Sequence, residues 1–148
     1  MRFKMSIQVR TAEKSDIDSM RKLMIQLCED QGVDFLEKRF DWGIKRRLFD
    51  RLQKHGLLIA EDENKKVAGM IYAELIIDPF GRAEGYIRQV IADRDFRGQG
   101  VGSKLLEKGI EYLRGMGAEV IRINATEKQL PYYQKFGFES AYQVLEIR

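Results

Sequence analysis

The chain has 148 residues, 44% of them hydrophobic and 33% charged, with 13 Gly, 2 Pro and a net charge of +3. That length and balance describe one globular domain of α/β or α+β type, long enough to bury a core without disulfides, and leave no room for a second domain. They exclude an internal disulfide, since Cys28 is the single cysteine, and a membrane span, since no apolar run reaches about 18 residues. The modest and dispersed positive charge argues against a dedicated nucleic-acid binder. Residues 1–5 are too short for a signal peptide and lack its apolar centre, and Met5 is an alternative start, so a reducing cytoplasm is the expected compartment.

In chain order, residues 7–10 alternate apolar and polar and read as a first strand. A helix follows, with Ser15 or Asp16 as N-cap and Ile17, Met20, Leu23, Met24, Leu27 and Cys28 on one face, ending near Gly32. A second helix is expected over about residues 35–54, with Phe40, Ile44, Leu48, Phe49 and Leu52 as its stripe, Gly43 as an interruption and Gly56 as its stop. It carries the densest basic run, Lys45, Arg46 and Arg47 followed by Arg51 and Lys54, read as a solvated face or as a rim that attracts phosphates. Residues 57–60 and 67–76 form a hairpin, Asp78-Pro79-Phe80-Gly81 a turn, and residues 86–92 a further strand.

That strand leads into Arg97-Gly98-Gln99-Gly100-Val101-Gly102-Ser103, a glycine-dense loop opening directly into an amphipathic helix. Val101, Leu105, Leu106, Gly109, Ile110 and Leu113 form its apolar face; Lys104, Glu107, Lys108, Glu111 and Arg114 form its polar one. Glycines that permit tight turns, followed by unpaired helix N–H groups, make an anion cradle that suits phosphate, with Arg97 as a charged edge. A P-loop is excluded because the Lys and Ser are in reversed order, and the glycine spacing misses the dinucleotide fingerprint by one place. A purely structural glycine loop is the bland reading. Residues 120–124 then read as a buried strand joined by a right-handed parallel crossover, residues 130–136 as a short helix, and residues 141–147 as a closing strand.

Arg97 to Gly102 resembles the Arg/Gln-x-x-Gly-x-Gly/Ala signature of the GNAT superfamily of acetyl-CoA-dependent N-acetyltransferases. Upstream, Ile87-Arg88-Gln89-Val90-Ile91-Ala92-Asp93 is similar to the family's central strand, and downstream Tyr133 to Phe138 is similar to its Tyr-x-x-x-Gly-Phe segment. The resemblance implies a mixed, mostly antiparallel sheet with a splayed parallel pair, flanked by about four helices. It implies acetyl-CoA as cosubstrate with no metal, and a primary amine, small molecule or peptide, as acceptor. Nucleic acid and membrane are not expected partners, and a homodimer is admitted. The alternative is a non-catalytic acyl-CoA sensor on the same fold.

By that resemblance, the amides of Arg97, Gly98, Gln99, Gly100, Val101, Gly102 and Ser103 hold the pyrophosphate of coenzyme A. Val90, Ile91 and Ala92 pair with the pantetheine arm across a bulge and splay, and the Ile91 N–H stabilises the oxyanion. Tyr133 protonates the leaving thiolate, and Asn124 and Thr126 flank the arm, with Thr126 standing where the family usually has Asn. Tyr133 also has a bland reading, as part of an aromatic cluster with Tyr132, Phe136 and Phe138. For the base, Glu84 and Glu74 are candidates, each equally readable as a solvent-facing strand residue. His55 reads as a helix-end cap and Cys28 as a buried core thiol.

Overall fold

A computed structural model describes residues 6–51 and 56–148. The expectations for Met5, Leu52, Lys54 and His55 therefore lie outside the described residues. Five strands form one sheet in the order β1-β2-β3-β4-β5: β1 Gln8–Thr11, β2 Leu57–Glu61, β3 Val67–Ile77, β4 Ala83–Ala92 and β5 Val120–Ile123. The first three pairings are antiparallel and the last, β4 with β5, is parallel. Helices α1 (Ile17–Gln31) and α2 (Glu37–Phe49) are followed after β4 by α3 (Val101–Gly115) and, after β5, by the short α4 (Leu130–Gln134).

The sheet separates two apolar clusters. On one face Met20 and Leu23 of α1 and Ile44 of α2 pack on Leu57, Ile59, Met70 and Ile91. On the other, Val101, Leu105, Leu106 and Leu113 of α3 pack on Leu58, Ala60, Ile71, Ala73 and Ile87. The three-and-four spacing of α1 and α3 and the period-two alternation of the strands select these faces. Gly32 ends α1 at φ +67°, with its own N–H and that of Val33 returning to the last carbonyls. Asp16 stands at the N-cap position of α1, as expected, but its side chain makes no capping bond to that helix. Its carboxylate accepts from the Glu13 N–H at 2.7 Å and from both terminal nitrogens of Arg10 at 2.8 Å. Burial alone would raise the Asp16 carboxyl, but these bonds outweigh it and hold the group below the usual carboxylate range.

The second helix differs from its sequence reading. It stops at Phe49, Gly43 does not interrupt it, and Phe49 is exposed, one position past the stripe of Phe40, Ile44 and Leu48. Gly56 directly precedes β2 and does not end α2. Lys45, Arg46 and Arg51 are solvated, whereas Arg47 is 6% exposed. Its guanidinium donates to the Tyr72 hydroxyl at 3.0 Å and to the Ala73 carbonyl, and stacks 4.1 Å from the Tyr72 ring centroid. The cause lies in β2, which begins at Leu57 opposite Tyr72 and offers Ala73 no strand partner. Arg47 supplies that donor instead. Arg47→Met should therefore destabilise the fold by about 2 kcal/mol, within the range expected for orphaning a buried carbonyl, with the part-buried Tyr72 hydroxyl adding little; chemical denaturation would measure it, and a change under about 1 kcal/mol on that scale would refute the assigned role.

Two further corrections concern the C-terminal part. The strand expected to be buried, β5, is an edge strand with Val120 exposed, and the closing strand expected over residues 141–147 is absent: residues 139–148 carry no regular structure and are exposed.

Candidate functional site

The geometry starts from a misalignment in β4. Tyr72 of β3 faces Gln89, but the next residue, Ala73, faces Ile87, so Arg88 is an extra residue in β4 and forms a bulge. On its other side β4 pairs with β5 only from Glu84↔Val120 to Ile87↔Ile123. Beyond the bulge, β4 continues to Ala92 while β5 has ended. The two parallel strands part there, leaving a strand edge from Arg88 to Ala92 whose outward N–H and C=O groups have no β5 partner. Val90 and Ala92 pack on the α3 face and Ile91 on the α1/α2 face.

The chain leaving this edge is fixed before it reaches the glycine loop. Asp93 accepts from the Asp95 N–H at 2.8 Å and from the Gln26 side-chain Nε2 at 3.0 Å, while the Gln26 side-chain Oε1 accepts from the Arg94 N–H at 3.1 Å. Gln26 of α1 thus grips both sides of the Asp93–Arg94 peptide. Arg97 donates to Asp30 at 2.6 Å, which, aided by Arg94, holds that carboxyl below its usual range.

Gly98 (φ +78°) and Gly100 (φ +79°) then take the left-handed conformation, which orients successive N–H groups toward one side. The first bond within α3 runs from the Lys104 N–H to the Gly100 carbonyl at 3.0 Å, so the N–H groups of Val101, Gly102 and Ser103 are left without helical partners. No acidic side chain lies in this first turn and Gly100 provides no side-chain cap. The helix end is consequently electropositive and open to an anion. The Val101 side chain is buried, so Val101 presents only its N–H to the cradle. Gln99 is exposed. Lys104, expected on the solvent face, instead donates to the Ile7 carbonyl.

Across the gap stand α4 and the segment before it. The Tyr132 hydroxyl lies 2.8 Å from Ser103 Oγ, tying α4 to the first turn of α3. Tyr132 packs edge-on against Phe136 at 5.4 Å, and Tyr133 against Tyr132 at 5.3 Å and Phe138 at 6.1 Å. Tyr133 is half-buried on the α3-face core, so its aromatic-cluster reading holds as packing. Burial, with Tyr132 beside it, pushes its phenol above the usual tyrosine range. Asn124 and Thr126 are exposed on the loop after β5, and the Thr126 N–H donates to Gln129 Oε1 at 3.0 Å.

On the opposite sheet face lies a charged patch. Glu84 pairs with Arg122 at 2.9 Å and Glu74 with Arg88 at 3.0 Å, and the Tyr86 ring lies between the guanidinium groups of Arg88 and Arg122 at 4.6 and 5.9 Å. Both carboxylates named from sequence are thus engaged in ion pairs. At about 3.3 Å per residue, Glu84 is some 13 Å along β4 from the bulge. Cys28 is half-buried rather than buried. Among the described residues no group of three or more His, Cys, Asp or Glu could hold a metal ion, and no helix is long and apolar enough to cross a membrane.

Sequence reasoning missed Arg88 and Gln89 as part of the free edge, and Gln26 and Tyr132 as its fasteners. Only Tyr132 carried a signal, as the neighbour of Tyr133.

A bulged β4 that parts from β5, with an amide cradle at the following helix, defines a class of proteins built to hold an anionic ligand beside an open strand edge, and sequence comparison supplies the family. The profile of the acetyltransferase (GNAT) family matches residues 19–138, and the chain belongs to that family. It is 28% identical over 141 residues to the glucosamine 6-phosphate N-acetyltransferase of Trypanosoma brucei brucei, covering 90% of each chain. The structure of a predicted acetyltransferase with acetyl-CoA from Clostridium acetobutylicum superposes with a TM-score of 0.80 at 22% identity, covering 97% of this chain and 96% of that one. That of a transcriptional regulator from Bacillus halodurans C-125 also reaches 0.80, at 19% identity and 97% and 99% coverage. These two likenesses are of fold alone.

Proposed function

We propose that this chain transfers the acetyl group of acetyl-CoA to a primary amine by direct attack in a ternary complex. What supports the reading is a free β4 edge that runs into an amide cradle at the start of α3, with α4, which bears Tyr133, tied to that cradle through Tyr132 and Ser103. The residues fit coenzyme A chemically. The cradle from Arg97 to Ser103 offers N–H groups and a helix end to a pyrophosphate, and Val90 and Ala92, whose backbone groups face away from β3, offer strand hydrogen bonds to an amide-bearing arm, with Ile91 between them bonded to β3. Arg97 divides its guanidinium between this role and Asp30, while Asn124 and Thr126 border the arm's exit from the gap.

The amine approaches from the α1/α2 side, since α3 covers the other. Its nitrogen bonds to the thioester carbonyl carbon, the C–S bond breaks, and an outward N–H of the β4 edge, at Val90 or Ala92, stabilises the negative oxygen formed between these events. The Ile91 N–H expected for this is turned toward Met70 of β3, because Asp93 bonds to Ala68 and hydrogen-bonded pairs alternate along the ladder. Tyr133 donates its phenolic proton to the departing sulfur. The proton lost by the amine passes through water toward the carboxylates of this face, Glu84 and Glu74. Amino sugars and their phosphates head the panel of acceptors to try, because the trypanosomal relative is named for one.

A coenzyme A release assay over that panel, with amino acids, polyamines and peptides added, tests the activity. Tight acetyl-CoA binding with transfer to no amine would replace it by the sensor reading. Tyr133→Phe should lower kcat by about a hundredfold, the lower end of what a positioned general acid supplies. The wild-type phenol is active in its protonated form, and burial raises its pKa, so the rate should hold at neutral pH and fall only where the phenol ionises at high pH. The Phe variant should lack that alkaline limb; equal rates at every pH would remove Tyr133 from the mechanism.

A further inference from the structure

The second helix turns Phe40, Ile44 and Leu48 to the sheet, so its opposite side is the outermost ridge of this part of the fold. Successive residues of a helix are about 100° apart around its axis, which puts Trp42 and Phe49 within about 20° of one another on the crest of that ridge. Trp42 is 65% exposed and Phe49 71%. Lys38 and Lys45 fall on one flank of the crest, Arg39 and Arg46 on the other, and all four are exposed. Every residue of α2 within about 60° of Trp42 is thus Lys, Arg, Trp or Phe. The acids of the helix, Glu37 and Asp41, are turned instead to Arg21 of α1, at 3.8 and 2.6 Å.

Four cations with no acid among them call for an anionic partner. A single-stranded nucleic acid needs a groove lined by open ring faces. Here there is a ridge, and the Arg46 guanidinium already lies 5.2 Å over the Trp42 ring. Base stacking also has no use for the exposed aliphatic side chains of Val33 and Leu36 just before α2. An acidic protein would have to supply a furrow charged along both of its sides, whereas a fluid surface conforms to the ridge. Rings on a crest with long basic side chains on both flanks suit a lipid surface: the rings reach the boundary of headgroups and acyl chains, and the flanking stems extend back to the phosphates.

We infer that α2 is a membrane-surface contact that lies flat on bilayers rich in anionic lipid, with Trp42 and Phe49 inserted and Lys38, Arg39, Lys45 and Arg46 on lipid phosphates. The two rings are about 10 Å apart along the axis, so both insert only when the helix lies parallel to the surface. The attachment is peripheral, and its charge makes it sensitive to salt. Ile44 and Arg47 stay buried in the fold throughout. The exposure of Phe49, expected from sequence in the buried stripe, is what turns the basic run from a solvated face into a contact. The contact rests on no assumption about the reaction.

Trp42 is the single tryptophan of the chain, so its fluorescence reports this face alone. The full chain is mixed with vesicles of phosphatidylcholine containing about one-third phosphatidylserine, and with vesicles of phosphatidylcholine only, at low and high salt. The expected result is sedimentation with the anionic vesicles at low salt, accompanied by a blue shift of the Trp42 emission, and neither effect with the neutral vesicles. Lys45→Gln/Arg46→Gln should weaken this binding by at least about tenfold, since each basic side chain near such a surface is worth several-fold in affinity. Binding to neither vesicle, equal binding to both, or unchanged binding of the Gln variant overturns the inference. Quenching of Trp42 by single-stranded RNA or binding of polyglutamate, without vesicle binding, overturns it in favour of that partner. Should the variant unfold, the wild type decides: release from the anionic vesicles at high salt supports the contact, and retention overturns it.

Discussion

Replacing Gly100 by valine is expected to weaken acetyl-CoA binding by at least about tenfold while the protein still folds. Gly100 is at φ +79°, with no heavy atom within 4 Å of the place a Cβ would occupy. The penalty is therefore conformational rather than steric: a side-chain-bearing residue in the left-handed region costs about 1–2 kcal/mol, and a β-branched one sits at the upper end. The free variant relieves that strain by rotating the loop, which turns the N–H groups before α3 away from their common point. Binding must restore the strained loop, and about 1.4 kcal/mol of such penalty is a tenfold loss. Gly102 makes the control. It lies inside the first turn of α3 with ordinary helical geometry, and a Cβ there meets only the Tyr132 hydroxyl at 3.7 Å. Gly102→Ala should fold at least as well as the wild type, by helix propensity. Calorimetric titration with acetyl-CoA separates the two. Unchanged affinity in Gly100→Val would remove the loop from the cofactor site.

The contrast between these glycines shows which features were local enough to read. The cradle and α3 follow from residues adjacent in sequence: glycines that permit a turn, then a 3.6-residue period. The bulge at Arg88 does not, because it exists only as a register between β3 and β4, and register depends on residues some fifteen positions apart. Arg47 was unreadable for the same reason. Nothing in its basic neighbourhood marks it as buried; its burial is decided by where β2 begins, which leaves the Ala73 carbonyl in need of a donor. Glu84 was readable as a carboxylate near the central strand, whereas its ion pair with Arg122 required knowing that β5 runs parallel beside β4. The closing strand is an instructive error. Alternation in residues 141–147 measures a capacity to pair, and it carries no information about whether an edge lies within reach; residues 139–148 take no regular structure.

The second large effect should appear at Gly69, far from the loop in sequence but beneath it in space. A Cβ on Gly69 would stand 2.5 Å from the Ile91 carbonyl oxygen, 2.9 Å from Val101 Cγ1 and 3.0 Å from Leu105 Cδ1. The first is backbone of the β4 edge and has no rotamer to change. The other two belong to the first turns of α3, where both side chains are buried at 2% exposure or less. Relief requires α3 to lift from the sheet at its N-terminal end, or Ile91 to shift along the strand edge that the proposed site uses. Gly69→Val should accordingly lower stability by about 3 kcal/mol, toward the upper end for overpacking, seen as a fall in the urea midpoint with an unchanged slope. Acetyl-CoA affinity should fall as well under conditions where the variant remains folded, because the cradle moves with the helix. A double-mutant cycle tests the mechanism itself: Leu105→Ala removes one of the clashing atoms, so it should cost less in the Gly69→Ala background than in the wild type. Strict additivity would mean that α3 does not bear on the sheet at Gly69.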